Sequence, residues 1–240
     1  MSTTNQSDYI LHELESLSDS EKKIFLPHFF KTGKGEYGEG DKFLGVVVPK
    51  IREVAKRHKD VSFDIIAELL SSEWHEVRMC ALLILVMRFN KADENTRNEI
   101  YRFYLLHTSS INNWDLVDLS APGIVGANLS AKGADERQEL YRLAESSNLW
   151  EQRIAIVSTI TFIRNGEFDD TLQLAKIMMH HPHDLMHKAI GWMLREVGKR
   201  DKAVLTSFLN DYSLEMPRTM LRYAIEKFDE EERQYYLKKK

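Results

Sequence analysis

Cysteine is nearly missing from this sequence: there is one, Cys80, in 240 residues. A lone thiol closes no intrachain disulfide, and its setting in "VRMCALLILVM" reads as a small buried hydrophobe, not half of a metal site or a nucleophile. Long apolar runs are missing as well. None reaches transmembrane length, and the polar start "MSTTNQSDYI" lacks a cationic region followed by an apolar core, so no membrane partner is expected and the expected location is cytoplasmic. Positive charge is not in excess either. The formal net charge of -4 argues against a general polyanion binder, although the charge of the face that meets phosphate matters more than the sum. One segment is locally basic: between Asp184 and Arg200, the cations Lys188, Arg195, Lys199 and Arg200 face only Asp184 and Glu196.

Two motif-like stretches lack the context that would give them a role. "GKGEYG", residues 33 to 38, matches G-x-G-x-x-G, but it follows the helical "EKKIFLPHFF" where a dinucleotide site needs a buried strand. It reads instead as a turn presenting Lys34 and Tyr37. "HHPHDLMH" supplies His180, His181, His183 and His187 without any cysteine or carboxylate ligand pattern. Loop and capping histidines are the simpler reading, and neither metal nor cofactor is expected.

Strand signals are also scarce. The best run, "FLGVVVP", is short and ends in Pro49. What is present is helical periodicity and, at 43% hydrophobic residues, enough apolar material for a real core. Helices are predicted at roughly 8 to 18, 20 to 31, 49 to 58, 62 to 71, 74 to 89, 93 to 107, 113 to 130, 133 to 146, 149 to 163, 167 to 179, 184 to 198, 201 to 210 and 217 to 236. The fold class is therefore all-α.

A repeat emerges when the polar residue opening each apolar run is followed. Arg78, Asp118, Arg153, Lys188 and Arg222 recur at steps of 40, 35, 35 and 34 residues. Such a period suits helix pairs stacked as a HEAT-like solenoid, one helical-repeat domain over residues 1 to 240. Asp118, Arg153 and Lys188 would then open onto one concave, basic face able to follow a phosphate backbone. The alternative is that these cations merely hold helix ends and loops in place. Lys188, Trp192 and Arg195 share a face at i, i+4 and i+7. Gly191 beside them costs about 1 kcal/mol of helix propensity, which close packing or ligand approach would explain.

The stretch "INNWDLVDLSAPG" sets Trp114 and Asp118 one helical turn apart if Asn112 or Asn113 caps a helix. Capping accounts for Asp115 better than for Asp118. Two tryptophans, a carboxylate and phased cations are compatible with nucleic-acid binding by ring and phosphate contacts, and also with cleavage of an N-glycosidic bond. In the second case the carboxylate stabilises the positive charge developing on the sugar and orients a water, and the indole faces favour that cation. Composition and periodicity alone leave Trp114 and Trp192 equally readable as large core residues with polar edges.

At these residues the chain resembles the AlkD-like DNA alkylation repair glycosylases, a family of HEAT-like helical repeats. The resemblance runs from about Phe25 to Phe228 and is carried by "FLGVVVPKIREVAKRH", "NNWDLVD", "SNLWEQRIAIV" and "HKAIGWMLRE". It implies Asp118, Trp114 and Trp192 as catalytic residues, with Tyr37 and Arg153 meeting DNA; the phased cations Lys188, Arg195 and Arg222 are the further DNA-binding candidates. It further implies excision of cationic N3- and N7-alkylated purines from double-stranded DNA with no metal or organic cofactor, and the chain is expected to act as a monomer. Because the leaving base is already cationic, Asp118 works as an ordinary ionised carboxylate. The damaged nucleotide would be contacted through its backbone with the base near the duplex, unlike the flipping usual in glycosylases. One position departs from the family pattern: the basic residue two helical turns beyond Arg153 is Thr161 here, with Arg164 the nearest cation. Two other functions are consistent with a helical array: noncatalytic binding of damaged or branched DNA, and a protein-binding scaffold, which an apolar concave face would mark.

Overall fold

Apolar residues at helical spacing, punctuated by Ser, Asp and Asn caps, lead to sixteen α-helices among the described residues, 6–133 and 135–239 of a computed structural model. In chain order they are α1 (Gln6–Glu15), α2 (Ser20–Phe29), α3 (Val48–Arg57), α4 (Phe63–Leu70), α5 (His75–Phe89), α6 (Glu94–Leu106), α7 (Trp114–Ala121), α8 (Ala127–Ser130), α9 (Gln138–Ala144), α10 (Leu149–Ser158), α11 (Ile160–Arg164), α12 (Asp169–Ile177), α13 (Asp184–Arg200), α14 (Lys202–Tyr212), α15 (Arg218–Ala224) and α16 (Glu230–Lys238). Among the described residues there is no strand, only an isolated bridge between Lys42 and Trp74. No helix among them is long and apolar enough to cross a membrane. The chain divides into two compact units, Met1–Ser120 and Ala121–Lys240.

In the first unit α5 is apolar nearly all round and is buried nearly all round, with α3 and α4 packed on it and α1 closing the core through Ile10 and Leu14. The "FLGVVVP" run is an extended loop. Its backbone donors find a side chain where a sheet would have supplied a neighbouring strand: Leu44, Gly45 and Val46 donate to the buried Glu76 carboxylate at 2.8, 2.8 and 3.1 Å. Gly45, at φ +88°, turns the loop so close to α2 that a Cβ would lie 2.3 Å from the Asp19 carbonyl. Helix α2 itself has no buried residue, contains Pro27, and leaves Ile24, Phe25 and Phe29 exposed.

The second unit opens on a π turn, Pro122–Gly126. Pro122 has no N–H for the carbonyl four residues earlier, which disturbs the helical ladder at that point. Thr161 donates its hydroxyl to the Pro122 carbonyl at 3.0 Å, tying α11 to this turn. Gly126 lies so close to α10 that a Cβ would meet the Ser158 carbonyl at 2.3 Å and Thr161 Oγ1 at 2.7 Å. Beyond it α9 packs on α10, α10 on α13, and α13 on α14 and α15.

Three predicted helices are subdivided. The span 113 to 130 is α7, the π turn and α8; 149 to 163 breaks at Thr159 into α10 and α11; and 217 to 236 is two helices, because Asp229 caps α16 by accepting from Glu232 N at 2.9 Å. The span 133 to 146 shortens to α9, and Ala134 lies outside the described residues. The repeat has a local meaning. Arg78 is the fourth residue of α5, while Asp118, Arg153, Lys188 and Arg222 are the fifth residues of α7, α10, α13 and α15.

Close packing accounts for Gly191, where a Cβ would meet the Met220 carbonyl of α15 at 2.5 Å and Tyr223 Cβ at 2.6 Å. Gly191→Ala is therefore expected to destabilise the protein by about 1–3 kcal/mol of overpacking, despite a helix-propensity gain of about 1 kcal/mol. A urea midpoint unchanged or raised by the substitution would count against that contact.

Candidate functional site

Helix α7 begins where Asn113, fully buried, accepts the Trp114 N–H on its side-chain oxygen at 2.9 Å. Trp114 and Asp118 follow one turn apart, both half-buried. The indole stacks on Phe30 at 5.3 Å and 26° and meets the edge of Phe29 at 6.0 Å and 65°. Phe30 continues the stack onto Phe43 at 5.0 Å, and Phe43 onto the His75 ring at 4.6 Å. Phe29, 51% exposed, puts a second aromatic face beside Trp114. Behind this wall is an apolar cavity of about 360 Å³ lined by Phe25, Phe29, Val47, Pro49, His75 and Asp115 among others. Tyr104 is buried with its hydroxyl 2.9 Å from Ser120 Oγ in α7; burial, and then the Asp118 charge, push its phenol up.

Asp115 accepts from Leu116 N on one oxygen and lies 2.9 Å from His75 Nε2 on the other. The far side of that imidazole, Nδ1, is 2.9 Å from Asp41, whose second oxygen accepts from Arg78 at 2.5 Å. Arg78 donates also to the Ser72 carbonyl and to Asn112 Oδ1. Burial alone would push the imidazole down, but Asp115 and Asp41 outweigh it and hold the ring protonated, at about 9. Burial would likewise raise the Asp41 carboxyl; His75 and Arg78 reverse this and hold it below its ordinary range.

Tyr37 sits half-buried in a series of turns closed by Glu36 and Glu39, which accept from Gly33 and Gly35 at 2.9 and 2.8 Å. The next residue, Gly38, lies so close to the end of α2 that a Cβ would meet the Phe30 carbonyl at 2.6 Å, and it is in ordinary contact, at 3.5 Å, with the Asn113 amide. The turn is thereby seated between the end of α2 and the start of α7.

In the second unit the recurrent cations have unequal settings. Arg153, 5% exposed, donates to the Leu185 carbonyl at 2.8 Å in the first turn of α13. Lys188 pairs with Asp184 at 2.8 Å on the surface. Arg195 is ion-paired with Glu226, and Arg222 is exposed. Trp192, one turn beyond Lys188, is half-buried. Arg78 and Arg153 thus hold neighbouring segments in place, as the capping alternative expects.

The profile of the DNA alkylation repair enzymes matches residues 10–228. The chain belongs to the DNA alkylation repair enzyme family. No curated protein matches it. Among solved structures, a predicted DNA alkylation repair enzyme from Enterococcus faecalis is similar in fold, with a TM-score of 0.67 at 13% identity over 89% of this chain and 97% of that one.

For a DNA alkylation repair protein, several sequence features have other uses here. His183 caps α13, accepting from Leu185 N at 3.1 Å; His181 reaches Gln152 at 2.8 Å and His187 reaches the His181 carbonyl at 2.5 Å. Burial lowers both His181 and His183, and among the described residues no group of metal-ligating side chains converges. Burial pushes the Cys80 thiol up to about 12, far from a nucleophile's range. Sequence reasoning missed Phe29, Asp41 and His75. The only local hint of Phe29 was an aromatic pair in a helix with a weak apolar face, and nothing local distinguished His75 from a helix-start polar residue.

Proposed function

We propose that this protein is a monomeric DNA glycosylase that hydrolyses the N-glycosidic bond of cationic N3- and N7-alkylated purines in duplex DNA, with Asp118 as the catalytic carboxylate. What supports this reading is the start of α7: Trp114 and Asp118 stand one turn apart, both half-buried, with the indole against Phe29 and Phe30 and the Asp118 charge felt by the buried Tyr104. Asp118 stabilises the oxocarbenium-like sugar and orients the water that adds to C1′ and gives up a proton to solvent; the alkylated base leaves with its own positive charge neutralised by the electrons of the broken C1′–N bond. Trp114 supplies an aromatic face for the cationic sugar, and Trp192 of the second unit is the other aromatic candidate by the family resemblance. Tyr37, Arg153, Lys188, Arg195 and Arg222 meet the strand, but Arg153 and Arg195 are already engaged by protein groups. Lys188 and Arg222 are the cations most readily offered to phosphate, since an exposed i, i+4 pair such as Lys188–Asp184 is worth only about 0.3–0.5 kcal/mol.

The deciding experiment is incubation with a duplex carrying one N7-methylguanine, followed by cleavage at abasic sites. Strand scission dependent on the protein supports base excision; tight binding without scission favours the noncatalytic DNA-binding reading. Lys188→Ala is expected to weaken duplex binding and reduce the slope of log affinity against log salt by about 1, with damage preference little changed. Anisotropy across a salt series measures both, and an unaltered slope would remove Lys188 from the phosphate contacts.

A further inference from the structure

We infer that His75 is a positioning residue: by clamping Asp115 to Asp41 it sets the first turn of α7, and through that turn the placement of Trp114 and Asp118. The inference rests on the glycosylase reading only for what those two side chains do. Its geometry belongs to the first unit alone.

Four charges meet here. Asp41 comes from the loop before α3, His75 and Arg78 from α5, and Asp115 from α7. With the imidazole protonated, two anions face two cations. With it neutral, one ring nitrogen presents a lone pair to a carboxylate, and the buried group carries an uncompensated negative charge. The other neighbours offer no relief. Phe30 and Phe43 cover the ring at 5.1 and 4.6 Å. Glu76, next on α5, directs its carboxylate to the amides of residues 44 to 46, and Lys22 reaches only the rim of the cavity from α2. The His75 backbone N–H is fixed to the Lys42 carbonyl at 2.8 Å, so the ring cannot follow a moving partner far.

Which contact yields is set by burial. Asp41 is buried and also held by Arg78, whereas Asp115 is half-buried and its ion pair among the described residues is with His75. Loss of the proton therefore releases α7 rather than the loop. Asp115 immediately follows Trp114 and precedes Asp118 by one turn, so both are displaced with it. The elevated His75 value places this release on the alkaline side of neutrality.

The test is an NMR titration of the full-length protein without DNA from pH 6 to 10. It follows the His75 ring protons and the Trp114 indole N–H, the latter identified by its loss in W114F. The indole signal is expected to move with the same midpoint as His75. An indole that stays fixed while His75 titrates overturns the proposal, as does an imidazole already neutral at pH 7. Single-turnover base release is measured alongside for wild type and H75Q. The wild-type rate at saturating protein should fall several-fold through the His75 midpoint, while H75Q should be slower at neutral pH and lack that limb; substrate ionisation would affect both proteins alike. Identical profiles for a folded H75Q overturn the proposal, and if H75Q does not fold the wild-type titration decides. If wild type releases no base, the glycosylase reading fails, and the indole titration still decides the role of His75.

Discussion

Asp118→Asn is expected to slow single-turnover release of N7-methylguanine and N3-methyladenine by about 10²–10³-fold, the effect of removing one well-placed electrostatic group from a transition state. The amide keeps the size of the side chain and removes its charge. Folding should survive, because Asp118 is only half-buried and the amide is isosteric with the carboxylate. Duplex affinity should be kept or rise slightly as repulsion of phosphate falls. Circular dichroism establishes equal folding, and equally fast release by both proteins would remove Asp118 from the chemistry. Trp114 and Trp192 variants should also be slow, but Trp114 packs on Phe30 and its loss disturbs more than catalysis.

The largest stability effect is expected from the ring between the two aspartates. His75→Ala leaves Asp41 and Asp115 without their shared cation, and breaking a buried ion pair from one side costs about 3–5 kcal/mol. The pH dependence has a definite sign. His75 has an ordinary value of 6.5 and a folded value of about 9, so between the two the folded chain binds more protons than the unfolded one. Its contribution is complete below about 6.5 and is lost as pH rises through about 9. Asp41 acts at the other end: its folded value lies below the ordinary 3.8, so its contribution is present above 3.8 and disappears as pH falls through the depressed value. Urea unfolding at pH 6 and pH 9.5 should show wild type losing stability on the alkaline side and H75A losing much less. Equal wild-type stability at the two values would mean that the imidazole is not held charged.

Much of this was legible in the chain. Helical spacing and caps predict the elements, and the recurring polar residue does mark one position, the fourth or fifth of its helix. Role at that position was not legible, because role depends on burial. Arg153 and Lys188 share a phase, yet one guanidinium serves a carbonyl of the next helix while the other cation lies on the surface. Asp115 looked like a simple cap because its partner, His75, is 40 residues away and no local pattern points to it. Thr161 looked like a missing cation. It is a hydroxyl fitted against a π turn, where Gly126 leaves little space for a longer side chain. Gly191 left two explanations open until α15 was seen against it. The break near residue 229 was hidden because neither Pro nor Gly marks it, and Asp229 restarts the helix as a cap.

Helix α2 has a thermodynamic consequence of its own. With no buried residue and a proline in its middle, it contributes little to the cooperative core, so its opening costs less than global unfolding. Yet Phe29 and Phe30, at its end, form the wall against which Trp114 rests. The residue after Trp114, Asp115, is held by His75 of the packed helix α5, while Trp114 itself rests on the end of α2. On its α2 side it leans on a segment that can fray and re-form many times within the lifetime of the folded protein, and a bulky group arriving there has only to displace that segment.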